Sequence, residues 1–143
     1  MALLRDNARL PLTLISRTTR IPVSTIFDTL RELNGNVIRK YTTIVDFKQL
    51  GYEVRLHMFF KLAPEEREIF QDFLEQSSHI NTAHRISNGF DFFAEAVFKD
   101  MQEYHTFLEA IERFAIKDRK EHFVLDELKR EDFMTQRHLL AAT

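Results

Sequence analysis

The strongest constraint on the fold is a strict alternation of side chains in the stretch EVRLHMFFKLA. Apolar side chains take every second position and are separated by Arg, His, Phe and Lys, which is the period of a strand with one buried face. The apolar positions are Val54, Leu56, Met58, Phe60 and Leu62. A strand of this kind needs other elements to cover its apolar side, so the pattern predicts a sheet with a second layer packed against it.

The residues after this strand predict a complete α+β domain. Pro64 opens a helix, INTAHRIS and FDFFAEAVF are strands around the turn pair Asn88-Gly89, and DMQEYHTFLEAIERF is a second helix capped by Asp100. KEHFVLDEL is predicted to be a fourth strand or a strand running into a tail. The order strand, helix, strand, strand, helix, strand is the ferredoxin-like arrangement, with both helices on one face of the sheet. The first helix is predicted to bury Ile69, Phe70, Phe73 and Leu74.

The other face of this sheet is left without a covering layer. It is predicted to carry three apolar side chains beside three charged or titratable ones, namely Phe59, Phe93, Val97, Arg55, His57 and Glu95. A half-apolar face with phenylalanine at its centre is more typical of a subunit interface than of bare surface. The sequence therefore predicts a homodimer.

The first part of the chain has the pattern of a winged helix-turn-helix. Two short helices, within ALLRDN and LTLISRTT, precede a third helix in which Ile26, Leu30 and Leu33 recur at helical spacing. The pair Asn34-Gly35 stops this helix, because Gly and Asn tolerate the left-handed conformation at a helix end. A short two-stranded ribbon with basic residues at its tip is predicted to follow.

The net charge changes sign between the helix-turn-helix and the α+β domain. Residues 1–45 hold seven Lys and Arg against three Asp and Glu, a net charge of +4, whereas the remainder holds thirteen against nineteen, a net charge of −6. A basic head on an acidic body is typical of a chain whose head alone approaches a polyanion. We expect a helix-turn-helix domain over residues 1–45, a linker over 46–51 and the α+β domain over 52–143.

The third helix supplies the side chains that are predicted to read DNA. Ser24, Thr25 and Arg31 lie on its polar side, and hydroxyl or charged groups there can reach base edges in the major groove. Asp28 would be repelled by phosphates but can accept a hydrogen bond from a cytosine amino group, and Phe27 lies beside the apolar stripe. Phosphate contacts are predicted for Arg17, Arg20, Arg39 and Lys40. Two alternatives stay open: the hydroxyls could cap the helix, and the cations could form a solvated face.

Both halves together resemble the leucine-responsive/asparagine regulator (Lrp/AsnC) family over nearly the whole chain. The resemblance rests on an ordered set of motifs: NAR, STIFDTLREL, NVIRKYTTIVD, LGY, ISNGFDFFAEAVFKD and YHTFLEAI. It implies a transcription regulator that binds double-stranded DNA, dimerises through the α+β domain, often forms octamers, and binds a small effector, commonly an amino acid. It also places the effector near the turn between the middle strands, here Asn88, Gly89, Phe90 and Asp91.

Other functions stay open at this point. An Lrp-like enzyme resembling siroheme decarboxylases is indicated only by His84 and Arg85, and an architectural DNA binder without an effector would have the same head. Lone strand histidines, such as His57, His84 and His122, are more often packing residues than ligands, so no metal or other cofactor is predicted. With no cysteine, no signal peptide and no apolar run near the roughly 20 residues that span a bilayer, we expect a cytoplasmic protein without membrane contact.

Overall fold

The chain folds into two compact units. The computed structural model describes residues 1–135, in which the first unit comprises Met1–Ile44 together with residues from Leu128 onward, and the second comprises Val45–Glu127. These boundaries differ from the expected ones in two respects. The expected linker at 46–51 folds with the second unit, and residues 128–135 fold with the first.

The second unit has the α+β architecture that the sequence predicted. Its strands form one antiparallel sheet in the order β2-β3-β1-β4, which is the ferredoxin-like topology. A single 3₁₀ turn at Pro64–Glu66 leads into the first helix of this unit. The elements are β1 (Val54–Leu62), α4 (Arg67–Gln76), β2 (Ile80–Arg85), β3 (Phe92–Phe98), α5 (Met101–Ile111) and β4 (Ile116–Phe123). The last strand begins and ends earlier than KEHFVLDEL indicated.

The core of this unit lies between the two helices and one face of the sheet. The alternating apolar residues of β1 from Leu56 to Leu62 are buried as predicted, and Phe70 of α4 contacts the rings of Phe60, Phe92 and Phe114. The prediction for Ile69 is wrong, since this side chain is 59% exposed. One residue step turns a helix by about 100°, so Ile69 points away from the face that buries Phe70.

Two polar contacts fix α5 within this unit. The carboxylate of Asp100 accepts hydrogen bonds from the backbone N–H groups of Gln102 and Glu103, both at 2.9 Å, which confirms the predicted cap. Tyr104 is buried and its hydroxyl donates to the carboxylate of Glu121 on β4. Burial and then this carboxylate raise the pKa of Tyr104 to about 12, so the phenol keeps its proton and holds α5 to the sheet.

The first unit contains the predicted helix-turn-helix. The helices of this unit are α1 (Ala2–Asp6), α2 (Leu12–Thr19) and α3 (Val23–Leu33). Its buried apolar side chains include Ile15 of α2 and Ile26 of α3, and these two helices pack against each other. Arg20 in the turn between them has φ 60°, the left-handed conformation that ends many helices.

The ribbon expected after α3 is not paired as strands. Residues 39–46 form no strand, and the only bridge nearby joins Asn34 to Ile38. The hydroxyl of Tyr41 donates to the side-chain oxygen of Asn34 at 3.1 Å, which ties this segment back to the end of α3. A two-stranded ribbon has little stability alone, so the sequence pattern was not sufficient to form one here. Within the part of the chain that the structure describes, no helix is long and apolar enough to cross a membrane.

Candidate nucleic-acid interface and effector loop

The third helix, α3, packs with its apolar side chains inward and its polar side chains exposed. Ile26 is buried, and Leu30 and Leu33 are half-buried, whereas the polar residues opposite them are exposed. We call this exposed set the reading face; it comprises Ser24, Thr25, Asp28 and Arg31. The packing of α3 therefore leaves a continuous polar surface open to solvent.

The hydroxyl groups at the start of α3 do not cap it. The helix begins at Val23 with Pro22 as its N-cap, and no side chain accepts a hydrogen bond from its first turn. Ser24 and Thr25 are exposed within the helix. The alternative that these hydroxyls cap the helix is therefore wrong. Both hydroxyls are available to an external partner.

The charged residues of the reading face are paired with each other. Arg31 lies 3.4 Å from the carboxylate of Asp28 one turn earlier, and both side chains are largely exposed. A solvated pair of this kind contributes well under about 1 kcal/mol, so a phosphate or a base can replace Asp28 as the partner of Arg31 at little cost. The pair also partly neutralises Asp28, which would otherwise repel DNA.

Exposed cations and an exposed aromatic ring surround the reading face. Phe27 is 55% exposed on α3. The four predicted phosphate contacts, Arg17, Arg20, Arg39 and Lys40, are all exposed. Within residues 1–135 the ion pairs and hydrogen bonds of the side chains involve none of these four cations. The first unit thus offers positive charge in the last turn of α2, in the turn between α2 and α3, and in the segment after α3.

The open sheet face, meaning the side of the sheet opposite α4 and α5, carries a cluster of aromatic rings. Phe93 lies at its centre, 5.1 Å from His57 and 5.4 Å from Phe59 between ring centroids, and it stacks on His84 at 5.9 Å. His122 contacts Phe59 at 5.9 Å. His57 and His122 are register partners on β1 and β4, but no group of three metal-ligating side chains occurs in the described residues.

One buried carboxylate lies beside this cluster. Glu95 is only 8% exposed, and it accepts hydrogen bonds from Arg55 at 2.7 Å and from Asn81 at 2.5 Å, with His57 at 3.4 Å. Burial favours the neutral acid, but the bonds from Arg55 and Asn81 outweigh it and hold the pKa of Glu95 below its usual value. Arg55 also pairs with Glu127. Glu95 is therefore a fixed negative charge within the open sheet face.

The loop between β2 and β3 is wider than the predicted two-residue turn. It is closed by the backbone N–H of Ile86, which donates to the carbonyl of Asp91 at 2.9 Å. Asn88 and Gly89 have φ of 70° and 104°, and both are exposed at the tip. Phe90 turns back to contact Phe59 at 5.9 Å. The predicted effector residues are thus together in one loop at the edge of the open sheet face.

Asp91 has a role that the sequence did not reveal. One carboxylate oxygen accepts a hydrogen bond from the backbone N–H of Leu62 at 2.8 Å, and the other pairs with Arg67 at 2.9 Å. The amino group of Lys120 lies 5.3 Å from the ring centre of Phe90, so β4 also contributes a cation to the loop. Sequence reasoning missed Arg67 and Lys120, because neither is near the loop along the chain.

Most of the second unit, together with residues 128–133, matches a known family of domains. The family model described as the Lrp/AsnC ligand binding domain matches residues 57–133. Transcriptional regulator AzlB of Bacillus subtilis is 31% identical over 90 residues, which cover 61% of this chain and 57% of AzlB. The HTH-type transcriptional regulator FL11 of Pyrococcus horikoshii is 26% identical over 110 residues, covering 76% of this chain and 73% of FL11.

Solved structures share the fold of nearly the whole chain. The transcriptional regulator NMB0573 of Neisseria meningitidis, solved in complex with L-Met, has a TM-score of 0.82 at 20% identity and covers 96% of this chain and 93% of its own. AsnC of Escherichia coli has a TM-score of 0.77 at 18% identity, covering 90% of this chain and 89% of its own. These likenesses extend over both the helix-turn-helix and the sheet unit.

Proposed function

The chain belongs to the Lrp/AsnC family, as its sequence predicted, and on that premise we propose that it is a DNA-binding transcription regulator that responds to a small effector. The observation that carries the proposal is the reading face. Its helix buries Ile26 against α2 and presents Ser24, Thr25 and Arg31 to solvent. In a helix-turn-helix, the second helix of the pair enters the major groove in this way. No enzymatic step is part of the proposal.

The chemistry of each side chain determines the role that we propose for it in DNA binding. Arg31 donates to guanine or to a phosphate, Ser24 and Thr25 hydrogen-bond base edges, and Asp28 accepts from a cytosine amino group. Phe27 supplies an apolar contact for a thymine methyl group. Arg17, Arg20, Arg39 and Lys40 neutralise phosphates and give the sequence-independent part of the affinity.

The direct test is binding to duplex DNA by the full chain. Fragments of the source genome, including the region upstream of its own gene, are the probes in an electrophoretic shift assay. We expect a subset of fragments to shift at nanomolar protein, and we expect the affinity to fall steeply between about 50 and 200 mM salt. If no fragment shifts at low salt, the proposed function is wrong.

The open sheet face is proposed as the homodimer interface. It joins aromatic rings around Phe93 to a paired, buried charge at Glu95, a combination of apolar centre and satisfied polar groups that is typical of interfaces. A dimer with two-fold symmetry would carry two heads, matching two half-sites of a pseudo-palindromic operator. Assembly of such dimers into octamers is consistent with this proposal.

Replacing Phe93 with glutamate is expected to weaken self-association by a factor of about ten or more, because a charge from each copy would be buried at the centre of the interface. Sedimentation velocity at micromolar protein measures the change. Ile69→Glu is the matched control, since Ile69 is 59% exposed on α4 and lies away from the open sheet face. A Phe93→Glu chain that sediments like the wild type would contradict this interface.

The loop of residues 86–91 is proposed as the effector site. Asn88 and Gly89 present backbone and amide groups, Phe90 an apolar wall, and Lys120 a cation suited to a carboxylate. Asp91 contributes by holding the loop through Leu62 and Arg67. The proposed ligand class is an amino acid, in line with the L-Met complex of the relative NMB0573.

Thermal shifts with a panel of amino acids test the effector site. A ligand that binds only the folded chain raises its melting temperature, and the rise grows with the logarithm of the ligand concentration once this exceeds Kd. We expect at least one amino acid to do so, and we expect Phe90→Ala to abolish the shift. If no amino acid gives a shift, the chain is better described as an architectural DNA binder.

A further inference from the structure

We propose that residues 128–135, here called the C-terminal segment, are a structural part of the DNA-binding unit, and that Arg5 is a positioning residue that fixes α1 to this segment. The inference rests on the proposed function. It gives Arg5, an arginine of the basic first unit, a role in holding that unit together and not a role in contacting DNA. The segment follows β4 in the chain, yet it folds with Met1–Ile44.

The contacts of Arg5 with the C-terminal segment are numerous and specific. Its Nε donates to the carbonyl of Phe133 at 3.0 Å, and its Nη2 donates to the carbonyl of Glu131 at 2.9 Å. Nη1 and Nη2 both donate to one carboxylate oxygen of Glu131 at 3.2 Å. A planar guanidinium can satisfy three acceptors at once in this way, whereas a lysine ammonium cannot reproduce the fork.

The C-terminal segment has a defined backbone shape that presents its carbonyls to Arg5. Glu131 and Met134 have φ of 51° and 59°, which is the left-handed conformation that residues with a Cβ rarely adopt. Within the segment, Lys129 pairs with Asp132 at 3.0 Å, and the hydroxyl of the buried Thr135 donates to the carbonyl of Asp132 at 3.1 Å. An unfavourable backbone persists where surrounding contacts determine it, and the bonds from Arg5 to Glu131 and Phe133 are among those contacts.

The first helix needs an external support of this kind. It has five residues, no side-chain cap and no buried residue. Isolated helices of this length do not form in water, because the free-energy cost of nucleating a helix exceeds the stabilisation that a single hydrogen-bonded turn provides. Leu3 and Leu4 are only half-buried, so apolar packing alone does not hold the helix either. Arg5 is thus a polar link that holds α1 to the C-terminal segment.

The chain consequently passes between the two units twice, once after Ile44 and once after Glu127. A head that is connected to the sheet unit at both ends has less conformational freedom than a head on one linker.

The experiment compares four variants of the full chain, Arg5→Ala, Arg5→Lys, Glu131→Ala and the control Arg9→Ala. Arg9 is an exposed arginine of the same unit whose side chain makes no hydrogen bond or ion pair with residues 128–135. Hydrogen exchange of the amides of Arg5 and Asn7, which close α1 on Met1 and Leu3, reports the helix without any DNA. The amides of β1 serve as the internal control for the folding of the sheet unit.

We expect Arg5→Ala and Arg5→Lys to raise the exchange rates of α1 about tenfold, and Glu131→Ala, which removes only the exposed carboxylate, to raise them about threefold, with Arg9→Ala and the β1 amides unchanged. All three should also weaken DNA binding by a factor of about five. A direct phosphate role for Arg5 predicts the opposite sign for Glu131→Ala, since removal of a competing carboxylate would strengthen binding.

Unchanged exchange of α1 in Arg5→Ala would overturn the proposal, and so would tighter DNA binding by Glu131→Ala. If the wild-type chain binds no DNA, the proposed function fails, but the exchange experiment still decides whether Arg5 holds α1 to the C-terminal segment.

Discussion

Arg55→Ala is expected to lower the free energy of unfolding by about 3 kcal/mol, because it leaves the carboxylate of Glu95 buried without its principal partner. Glu95 is 8% exposed, and Arg55 is the donor that compensates its burial most strongly. The remaining bonds from Asn81 and His57 reduce the loss but do not replace a guanidinium. Urea unfolding at neutral pH, followed by circular dichroism, measures the change.

A control variant distinguishes the loss of the Arg55–Glu95 pair from the loss of an arginine charge elsewhere on the sheet. Arg85→Ala is the control, since Arg85 is exposed on β2, and we expect it to change stability by less than about 0.5 kcal/mol. The double variant Arg55→Met with Glu95→Leu should be more stable than Arg55→Ala, because no buried charge is left. Equal losses in Arg55→Ala and Arg85→Ala would contradict this account of the open sheet face.

The same network sets the response to acid. The pKa of Glu95 is lower in the folded chain than its ordinary value of 4.5, so the stability that it contributes is fully present above that value. This stability is lost as the pH falls through the lower folded-state pKa. The wild type should therefore lose stability in this acidic range more steeply than Glu95→Gln, which has no carboxylate to protonate there.

Removing two phosphate contacts should have the largest effect on DNA binding. The double variant Arg17→Gln with Arg20→Gln keeps side-chain length, and glutamine at position 20 demands no more of the left-handed backbone than arginine does. Each phosphate contact contributes about 0.9 to the slope of log affinity against log salt, so the slope should fall by about 2 for each bound head. At about 0.1 M salt the affinity should fall roughly 50-fold for each bound head.

Fluorescence anisotropy with a labelled genomic fragment at several salt concentrations gives both quantities. Arg113→Gln is the matched control, because Arg113 is an exposed arginine of the sheet unit that stacks on Phe73 and Phe114 and has no part in the proposed interface. If Arg113→Gln reduces the slope as much as the double variant does, the phosphate contacts lie elsewhere than on the helix-turn-helix.

The parts of the fold that could be predicted from the sequence are those set by local periodicity. The alternation in β1 needs only neighbouring residues to show which side chains face the core, and Asp100 caps α5 through bonds to residues two and three positions away. The same holds for α3, whose buried Ile26 and exposed Ser24 follow from helical spacing alone.

The parts that could not be predicted depend on contacts between distant residues. Asp91 could be placed in the loop, but its pairing with Arg67 depends on how α4 lies over β1. The bonds between Arg5 and Glu131 join positions 126 residues apart, and no local pattern indicates them. The ribbon after α3 was predicted from residue type alone, and without a partner strand those residues stay unpaired.

The central claim is that the reading face of α3 touches DNA, and site-directed photocrosslinking tests it most directly. The chain contains no cysteine, so Thr25→Cys, Asp28→Cys and the control Ala110→Cys each carry one photoreactive label at an exposed helical position. We expect both α3 positions to crosslink to a bound genomic fragment, and we expect Ala110→Cys on α5 to give no adduct. Adducts at Ala110 with none at the two α3 positions, in chains that still bind the fragment, would contradict the claim.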